Sequence, residues 1–396
     1  MTLSPVPFFD LTRQFSSMEE EVLQAVVPLF RAQQFILGEP VASFEEAFSK
    51  TLGVGRAVGV SSGTEALVLA LLASGLRPGG GVLVPSFTFF ASAGAVVLAG
   101  GVPIFVDVDS ESFLMTPEIV EGFLSAETSV DAHGGRRTRR GEIPVSGILP
   151  VHLYGRMVDM ESLSRLARSH GLFVVEDACQ SVGATFHGLP PGAHSQAVAY
   201  SFFPTKNLGG AGDAGMVTTT DSAIFEHLLR LRVHGSRRRY EHEEMGTNAR
   251  IDALQARVLS VKLPRLALWT RRRQEISLNY NRAFEGIPGL LVPGDPDESA
   301  GSVFDHVYHQ YTLRVAGEGM RDRLRGAMTD RAIGSEVYYP IPLHRQKAFS
   351  GNPTIHGPLA VSERLSREVV SLPVFPELRE EEQERVIGAV REFFSA

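Results

Sequence analysis

Cysteine is nearly absent from this chain, since Cys179 is the only one among 396 residues. A single thiol cannot form an intrachain disulfide, so no disulfide framework is available to the fold. The apolar residues beside Cys179 predict a buried, unreactive thiol rather than a nucleophile.

An excess of positive charge is also missing. Lysine and arginine together number 38 against 45 aspartate and glutamate residues, which gives a formal net charge of −7. This balance argues against nucleic acid as a partner. Three local basic runs are typical of solvated surface, with contact to the phosphates of a small ligand as the alternative: Arg136–Arg140, Arg237–Arg239 and Arg271–Arg273.

No apolar run is long enough to span a bilayer. The longest, residues 91–106, is interrupted by Gly94, Gly100, Gly101 and Pro103. Residues 1–10 contain neither a basic start nor a continuous apolar segment, so we expect no signal peptide. These absences predict a cytoplasmic protein without a membrane partner.

Helical and strand patterns alternate through the first two thirds of the chain. Apolar residues make up 43% and charged residues 21%, which is ordinary for a globular protein with a large core. The strands lack polar alternation, which indicates burial on both faces and predicts an α/β fold with a mainly parallel sheet sandwiched by helices. Strands are predicted at 56–60, 82–84, 102–106, 148–153 and 172–176, and helices at 64–74, 91–99 and 160–170.

The pattern changes after about residue 262. One long helix is predicted over 264–284, and two separated strands and a charged final helix follow at 310–315, 335–339 and 378–394. We therefore divide the chain into a large domain, residues 1–262, and a smaller C-terminal α+β domain, residues 263–396. The polar, basic and glycine-rich segment 131–142 is predicted to be an exposed loop.

Two serine–glutamate pairs have the spacing of a capping box, in which each side chain caps the other residue's backbone N–H. Ser16 with Glu19 predicts the start of a helix that runs to about Gln34. Ser43 with Glu46 repeats the signature, so both pairs are predicted to mark helix N-termini.

Lys206 is the residue whose surroundings indicate chemistry most clearly. It lies in the glycine-rich stretch Tyr200–Gly215, downstream of an apolar strand that ends in Glu176 and Asp177. Pyridoxal phosphate needs such a lysine to form a Schiff base, and a carboxylate at a strand end to hold its pyridine nitrogen protonated. Alone, Lys206 would be a surface residue and Asp177 a helix cap, but together they predict this cofactor and no metal.

Several nearby segments are suited to the rest of such a cofactor. Gly59–Leu67 predicts a strand, a turn of small residues and a helix start, which favours bound phosphate but also ordinary capping. Ser201 could bind the same phosphate, and Gln180 could donate a hydrogen bond to the phenolate oxygen of the ring. An aromatic side chain of Pro85–Phe90 either stacks on the ring or belongs to the core.

The segment Gly246–Gln255 precedes a predicted helix. Asn248 is a hydrogen-bond donor, and Arg250 is a fork-shaped cation suited to carboxylate or phosphate. Without further context, a capped helix start is the favoured explanation of both residues.

Taken together, these stretches resemble the DegT/DnrJ/EryC1/StrS family of pyridoxal-phosphate-dependent sugar aminotransferases, over about residues 7–394. The resemblance implies a type I aminotransferase fold and a homodimer with active sites at the subunit interface. Two departures are the basic loop at 131–142, which is longer than usual, and Cys179, where relatives usually have alanine. The matching blocks, in chain order, are SSGTEAL, PSFTFFASA, PVHLYG, EDACQSVGA, SFFPTKNLGGAGDAG, GTNARIDALQA and VYYPIPLHRQ.

The resemblance also implies roles for individual residues. Lys206 would carry the Schiff base and the proton, Asp177 would pair with the pyridine nitrogen, and Gln180 would contact the phenolate oxygen. Other cofactor contacts would come from Phe89, which stacks on the ring, from Gly63, Thr64 and Ser201 at the phosphate, and from Asn248 at the phosphate of the partner subunit. Substrate contacts would come from Arg250 at the amino donor's carboxylate and from His309, Tyr339 and His344 near the sugar nucleotide.

The activity implied is transfer of the amino group of L-glutamate to a 3-keto sugar carried on UDP or dTDP. A 4-keto sugar is the near competitor. A sugar dehydratase of the same family is disfavoured because some of those enzymes have histidine where this chain has Lys206. A regulatory protein that binds the cofactor without turnover, and a nucleotide-binding module without it, are the remaining alternatives.

Overall fold

The computed structural model describes residues 4–132, 134–294, 306–351 and 359–395. The helices are α1 Leu11–Ser16, α2 Glu19–Ala32, α3 Glu39–Leu52, α4 Gly63–Ala73, α5 Phe90–Leu98, α6 Pro117–Glu127, α7 Met160–Ser169, α8 Ser222–Leu231, α9 Ala253–Lys262, α10 Leu266–Phe284, α11 Met320–Asp330, α12 Ala360–Glu368 and α13 Glu380–Ser395. The strands are β1 Arg56–Val60, β2 Gly81–Pro85, β3 Val102–Val106, β4 Thr128–Val130, β5 Arg136–Thr138, β6 Val145–Ile148, β7 Phe173–Asp177, β8 Ala197–Ser201, β9 Gly215–Thr219, β10 Ser236–Arg238, β11 Glu241–His242, β12 Leu290–Leu291, β13 Tyr311–Val315 and β14 Val369–Leu372.

A seven-stranded sheet forms the centre of the molecule, in the order β1-β9-β8-β7-β6-β2-β3. The neighbours from β8 to β3 pair in parallel, and β9 runs antiparallel to both β8 and β1. Every residue of β2, β8 and β9 is buried, because helices cover both faces of the sheet. The predicted α/β class with a mainly parallel, helix-covered sheet is confirmed.

The carboxyl ends of four strands meet along one edge of this sheet. Strands β1, β2, β7 and β8 run in the same direction, and they end at Val60, Pro85, Asp177 and Ser201. Open α/β sheets bind their ligands at this edge, because the loops that follow the strands diverge there and leave a crevice.

A second sheet lies in the C-terminal part of the chain. Its strands pair antiparallel in the order β12-β13-β14, and an aromatic and aliphatic core built around Tyr280, Tyr311 and Phe375 packs beside it. The N-terminal segment also reaches this region, since Val6 forms a bridge with Ile333. The domain division after residue 262 stays a prediction.

Two of the predicted strands differ from the structure. The strand expected over 148–153 is β6, which ends at Ile148, because Pro150 has no N–H to continue the ladder. The segment 335–339 is not a strand. Glu336 makes an isolated bridge to Ser371, and the residues after it turn toward the sheet edge that carries the crevice.

Neither predicted capping box forms. Ser16 is the last residue of α1, and its hydroxyl donates to the carbonyl of Thr12. Ser43 lies inside α3 and donates to Glu39 at 2.7 Å. The S-x-x-E pattern is local and occurs in helix interiors too, where the hydroxyl bonds within the preceding turn.

The described residues of segment 131–142 are mostly exposed, as predicted, but part of the segment is a strand rather than a loop. Strands β4 and β5 form a hairpin at its start. Arg136 anchors this hairpin, because its guanidinium donates to the hydroxyl of Thr128 at 2.6 Å and to the carbonyl of Leu124 at 3.1 Å. The glycines predicted a loop, but Arg136–Thr138 pairs with Thr128–Val130, and the half-buried Arg136 adds side-chain hydrogen bonds.

Among the residues that the structure describes, no helix combines the length and the apolar character needed to cross a membrane.

Replacing Phe48 with alanine is expected to destabilise the protein by about 3–5 kcal/mol. The Phe48 ring is fully buried and makes edge-to-face contacts with Phe44, Tyr200 and Phe202, so truncation leaves a cavity between α3 and β8. Urea unfolding measures the effect. The matched control is Leu268→Ala, whose side chain is 60% exposed. Equal stabilities of the two variants would contradict the prediction.

Candidate active site

A cleft of about 470 Å³ opens at the carboxyl edge of the large sheet. Nine of the twelve predicted site residues line it, although they come from segments separated by up to almost three hundred positions. They are Gly63, Thr64, Phe89, Asp177, Gln180, Ser201, Lys206, His309 and Tyr339. The three that do not line it are Asn248, Arg250 and His344.

Asp177 is fixed at the end of β7 by hydrogen bonds to both of its carboxylate oxygens. Ser92 donates its hydroxyl to Oδ2 at 2.7 Å, and the backbone N–H of Cys179 donates to Oδ1 at 3.1 Å. The residue is only 4% exposed, and a carboxylate so deeply buried needs donors or a cation around it. Its position in the cleft wall leaves it available to a cationic ring nitrogen.

The start of α4 faces the cleft beside Ser201. The helix is capped by the hydroxyl of Ser62, which accepts from the N–H of Glu65 at 3.1 Å, so the N–H groups of the first turn lie at the cleft. A Cβ on Gly63 would lie 2.6 Å from the Cβ of Ser201, so glycine is required for this close approach of α4 to β8. This cradle of N–H groups and a hydroxyl suits a phosphate.

Lys206 lies in the turn after β8, with its ammonium group in the cleft. Loss of hydration there lowers the pKa of Lys206 below its usual range, while Cys179 and Asp177 act in the opposite direction. A lysine that forms a Schiff base must be partly neutral, and desolvation shifts Lys206 in that direction. The Nε2 of His309 lies 3.5 Å from the lysine Nζ.

Gln180 is oriented by two hydrogen bonds. Its carbonyl oxygen accepts from the backbone N–H of Tyr154 at 2.7 Å, and its amide nitrogen donates to the hydroxyl of Tyr339 at 2.9 Å. Burial raises the pKa of Tyr339, so the phenol stays neutral. The amide therefore presents its donor side toward the cleft, as contact with a phenolate oxygen requires.

Phe89 borders the cleft and is 54% exposed, which excludes the core position that was its alternative. Its ring centroid is 6.0 Å from that of Tyr339, with a tilt of 39° between the planes. An exposed ring on a cleft wall is available to a flat ligand. Phe87, by contrast, is a fully buried core aromatic.

Asn248 and Arg250 lie on the strand-like segment that runs beside β1, outside the cleft. Asn248 is exposed, and the backbone of Arg250 bridges Val60. The Nε of Arg250 is buried without a hydrogen-bond partner among the described residues. The capped-helix interpretation belongs instead to Asp252, whose carboxylate caps α9.

His344 lies in a separate buried network. Its Nδ1 is 2.6 Å from the hydroxyl of Ser86, and its Nε2 is 3.2 Å from the carboxylate of Glu363, which also binds Arg345. Burial lowers the pKa of His344. This network joins the Pro85–Phe90 loop to the loop that carries Tyr339.

Cys179 lines the cleft wall and is half-buried, rather than enclosed in the core as its apolar neighbours predicted. Loss of hydration, with a smaller effect from Asp177, raises the pKa of the thiol well above its usual range. We therefore still expect an unreactive thiol, because the raised pKa disfavours the thiolate.

The sequence analysis missed three residues that hold the site in place. Ser92 binds Asp177, and Asn207 binds His309 through its amide oxygen at 3.2 Å. Arg273 belongs to a basic run expected to be solvated, but it is 2% exposed and donates to carbonyls of the chain at His309 and Val374. The only sequence signal for the burial of Arg273 was its place on the apolar face of α10, two positions from exposed Arg271.

The residues present fit pyridoxal phosphate. Asp177 would hold the pyridine nitrogen, Gln180 the phenolate oxygen, and Gly63 with Ser201 the phosphate. Lys206 would carry the cofactor aldehyde. The required glycine at position 63, and the buried Asp177 that Ser92 holds in the cleft wall, are the two observations that such a ligand explains.

Comparison with known proteins identifies the family. The model of the DegT/DnrJ/EryC1/StrS aminotransferase family matches residues 16–391. A UDP-N-acetyl-3-dehydro-α-D-glucosamine 3-aminotransferase from Acidithiobacillus ferrooxidans is 38% identical over 386 residues, which cover 98% of this chain and 97% of that protein. A protein from Geobacillus stearothermophilus named pleiotropic regulatory protein is 39% identical over 389 residues, 98% of each chain.

The solved structure of DesV from Streptomyces venezuelae superimposes with a TM-score of 0.90, at 36% identity and with 100% of both chains covered. The matching family is described as an aminotransferase family and depends on pyridoxal phosphate, and a solved structure at 28% identity contains the bound cofactor in its pyridoxamine form, so the cofactor and enzyme class expected from the sequence are confirmed. This chain belongs to the DegT/DnrJ/EryC1/StrS aminotransferase family.

Proposed function

We propose that the protein transfers the amino group of L-glutamate to a 3-keto sugar carried on UDP or dTDP. The products are an amino sugar nucleotide and 2-oxoglutarate. The observation that carries this proposal is the placement of Lys206 and Asp177 in one cleft at the carboxyl edge of the sheet. The choice of a 3-keto sugar is supported by the 38% identical relative whose name gives a 3-dehydro sugar as substrate.

The cofactor, when bound, supplies an electron sink for the charge left when a C–H bond is broken. Asp177 would pair with the ring nitrogen, because Ser92 and the backbone N–H of Cys179 hold its carboxylate in the cleft wall. The Nζ of Lys206 takes a proton from the substrate carbon and later gives that proton up again. Loss of hydration lowers the pKa of Lys206, which favours the neutral amine that a base requires.

We further propose that the working unit is a homodimer in which each cleft is completed by the other subunit. Asn248 and Arg250 lie outside the cleft of their own chain, and Asn248 is exposed. In a two-fold dimer the same segment of one chain can face the cleft of its partner. Asn248 would then donate to the partner's phosphate and Arg250 would bind the carboxylate of glutamate.

Two activities compete with this proposal. A 4-keto sugar would need the same residues, with the sugar turned in the cleft. A regulatory protein that binds the cofactor without turnover is supported by the name of the 39% identical relative. Turnover with glutamate separates both enzymatic functions from the regulatory one.

Lys206→Ala is expected to lower transamination by at least about a thousandfold, because Lys206 is the only lysine among the described residues that line the cleft and so the amine that takes the substrate proton. The variant is expected to retain the cofactor without a covalent bond. Both are checked by 2-oxoglutarate release and by the cofactor content after gel filtration. Lys50→Ala, at an exposed position on α3, is the control. Full activity of Lys206→Ala would refute the mechanism.

Addition of glutamate to the purified protein with pyridoxal phosphate is expected to change the absorbance of the bound cofactor and to release 2-oxoglutarate. Keto sugars are then supplied one at a time, in 3-keto and 4-keto forms on UDP and on dTDP. The one that restores the first spectrum is the substrate. A spectrum that glutamate leaves unchanged would favour the regulatory function.

Asn248→Ala is expected to weaken cofactor retention through the partner subunit. Mixing it with Lys206→Ala tests the sharing directly, because a mixed dimer would contain one intact site. After subunit exchange between equal amounts of the two variants, about half of the dimers are mixed and each of these has one intact site of two. About a quarter of wild-type activity is therefore expected. No recovery, with mixed dimers present by mass spectrometry, would place Asn248 at its own site and contradict a shared one.

A further inference from the structure

His309 has a position that sugar binding does not explain. It comes from the segment before β13, and its Nε2 is 3.5 Å from the Nζ of Lys206. This contact is long for an N–H···N hydrogen bond. Contacts of this kind lengthen in the ligand-free protein and tighten when the site is filled.

The tautomer of His309 is fixed by Asn207, the residue next to the lysine. The amide nitrogen of Asn207 donates to the carbonyl of Val307 at 2.9 Å, so its amide oxygen must face Nδ1 of His309, at 3.2 Å. The reverse orientation would place two oxygens against each other. Nδ1 therefore carries the hydrogen, and Nε2 carries a lone pair that faces Lys206.

The charge state of His309 agrees with this assignment. The ring is buried, and loss of hydration, with the nearby cations of Lys206 and Arg273, holds the pKa of His309 well below its usual range. The imidazole is thus neutral at physiological pH. A neutral ring with hydrogen on Nδ1 can accept at Nε2 but cannot donate there.

The backbone that carries His309 is held from two sides. The buried guanidinium of Arg273 donates to the carbonyls of Tyr308 and His309 at 3.2 and 3.4 Å. Gly155, with φ +99°, packs so closely that a Cβ there would lie 2.9 Å from the nitrogen of His309. The ring is therefore placed by the fold and does not depend on a ligand for its position.

We propose that His309 is a positioning residue for Lys206: its Nε2 accepts one N–H of the lysine nitrogen and thereby turns the nitrogen lone pair toward the open cleft. The inference rests on the proposed function, in which that lone pair takes the substrate proton. The proton moves from carbon to Nζ, and His309 accepts a hydrogen bond throughout without taking the proton itself.

Two substitutions separate the two nitrogens of the ring. His309→Asn keeps a donor at the Nδ1 position for Asn207 but removes the acceptor that faces Lys206. His309→Gln places an amide oxygen near the Nε2 position and gives up the donor to Asn207. A role limited to holding the fold predicts that the asparagine variant is the better one, whereas positioning of Lys206 predicts the opposite.

The first readout uses the full-length protein without cofactor or sugar. Acetic anhydride at limiting concentration labels neutral amines, and mass spectrometry of the Lys206 peptide gives the labelled fraction across a pH series. An acceptor at Nε2 stabilises the ammonium, so its loss is expected to lower the midpoint for Lys206 by about one pH unit in His309→Asn and by less in His309→Gln. Asp177 and Cys179, the other ionisable groups near Lys206, are unchanged in both variants.

The second readout is steady-state kinetics with glutamate and the sugar identified above. His309→Asn is expected to lower kcat at least about tenfold with little change in KM, although more Lys206 is neutral, and His309→Gln is expected to recover most of it. Thermal unfolding confirms that both variants are folded. The proposal is overturned if His309→Asn has the wild-type labelling midpoint for Lys206 and the wild-type kcat. It is also overturned if the kcat of His309→Gln is no higher than that of His309→Asn. Because labelling needs no substrate, it remains decisive even if no keto sugar is accepted.

Discussion

The shared direction of β1, β7 and β8 is the constraint on which the rest of the site depends. Parallel strands end at the same edge, so Asp177 and Ser201 lie at one edge and the turn after β8 brings Lys206 into the same cleft. The reversed strand β9 separates β1 from β8 and still leaves β1 parallel to β8, which brings the start of α4 to the same edge. A phosphate cradle, a carboxylate and an amine then converge without any of them being neighbours in the chain.

Desolvation sets the charge of the groups at this edge. Burial lowers the pKa of Lys206 and His309 and raises that of Tyr339 and Cys179, so each is shifted toward its neutral form. Asp177 is held in place by hydrogen bonds from the hydroxyl of Ser92 and the backbone N–H of Cys179. The site therefore combines one anchored carboxyl group with groups that burial shifts toward their neutral forms. Such a setting suits a cationic ring nitrogen on one side and an uncharged lysine base on the other.

The C-terminal part of the chain supplies one wall of the cleft and the histidine that lies beside Lys206. His309 and Tyr339 reach the crevice from segments around the second sheet, and Arg273 on α10 holds the carbonyls beside His309. The network of Ser86, His344 and Glu363 joins the loop that carries Phe89 to the loop that carries Tyr339. These contacts link the two walls of the cleft at a distance from Lys206. The VYYPIPLH block, which resembles the family, therefore includes residues that line the cleft and residues that only connect its walls.

The sequence by itself predicted the fold class, the cofactor and nine of the residues that line the cleft, because apolar strands, small-residue turns and the blocks that resemble the family are local signals. It was wrong about the capping boxes and the strand at 335–339, where the same local patterns fit more than one structure. Only the tertiary structure decided that Arg273 is buried, that Cys179 faces the cleft, and that Ser92 and Asn207 hold Asp177 and His309. These contacts join residues distant in the chain, and the cost of burying a polar group depends on partners that no local pattern contains.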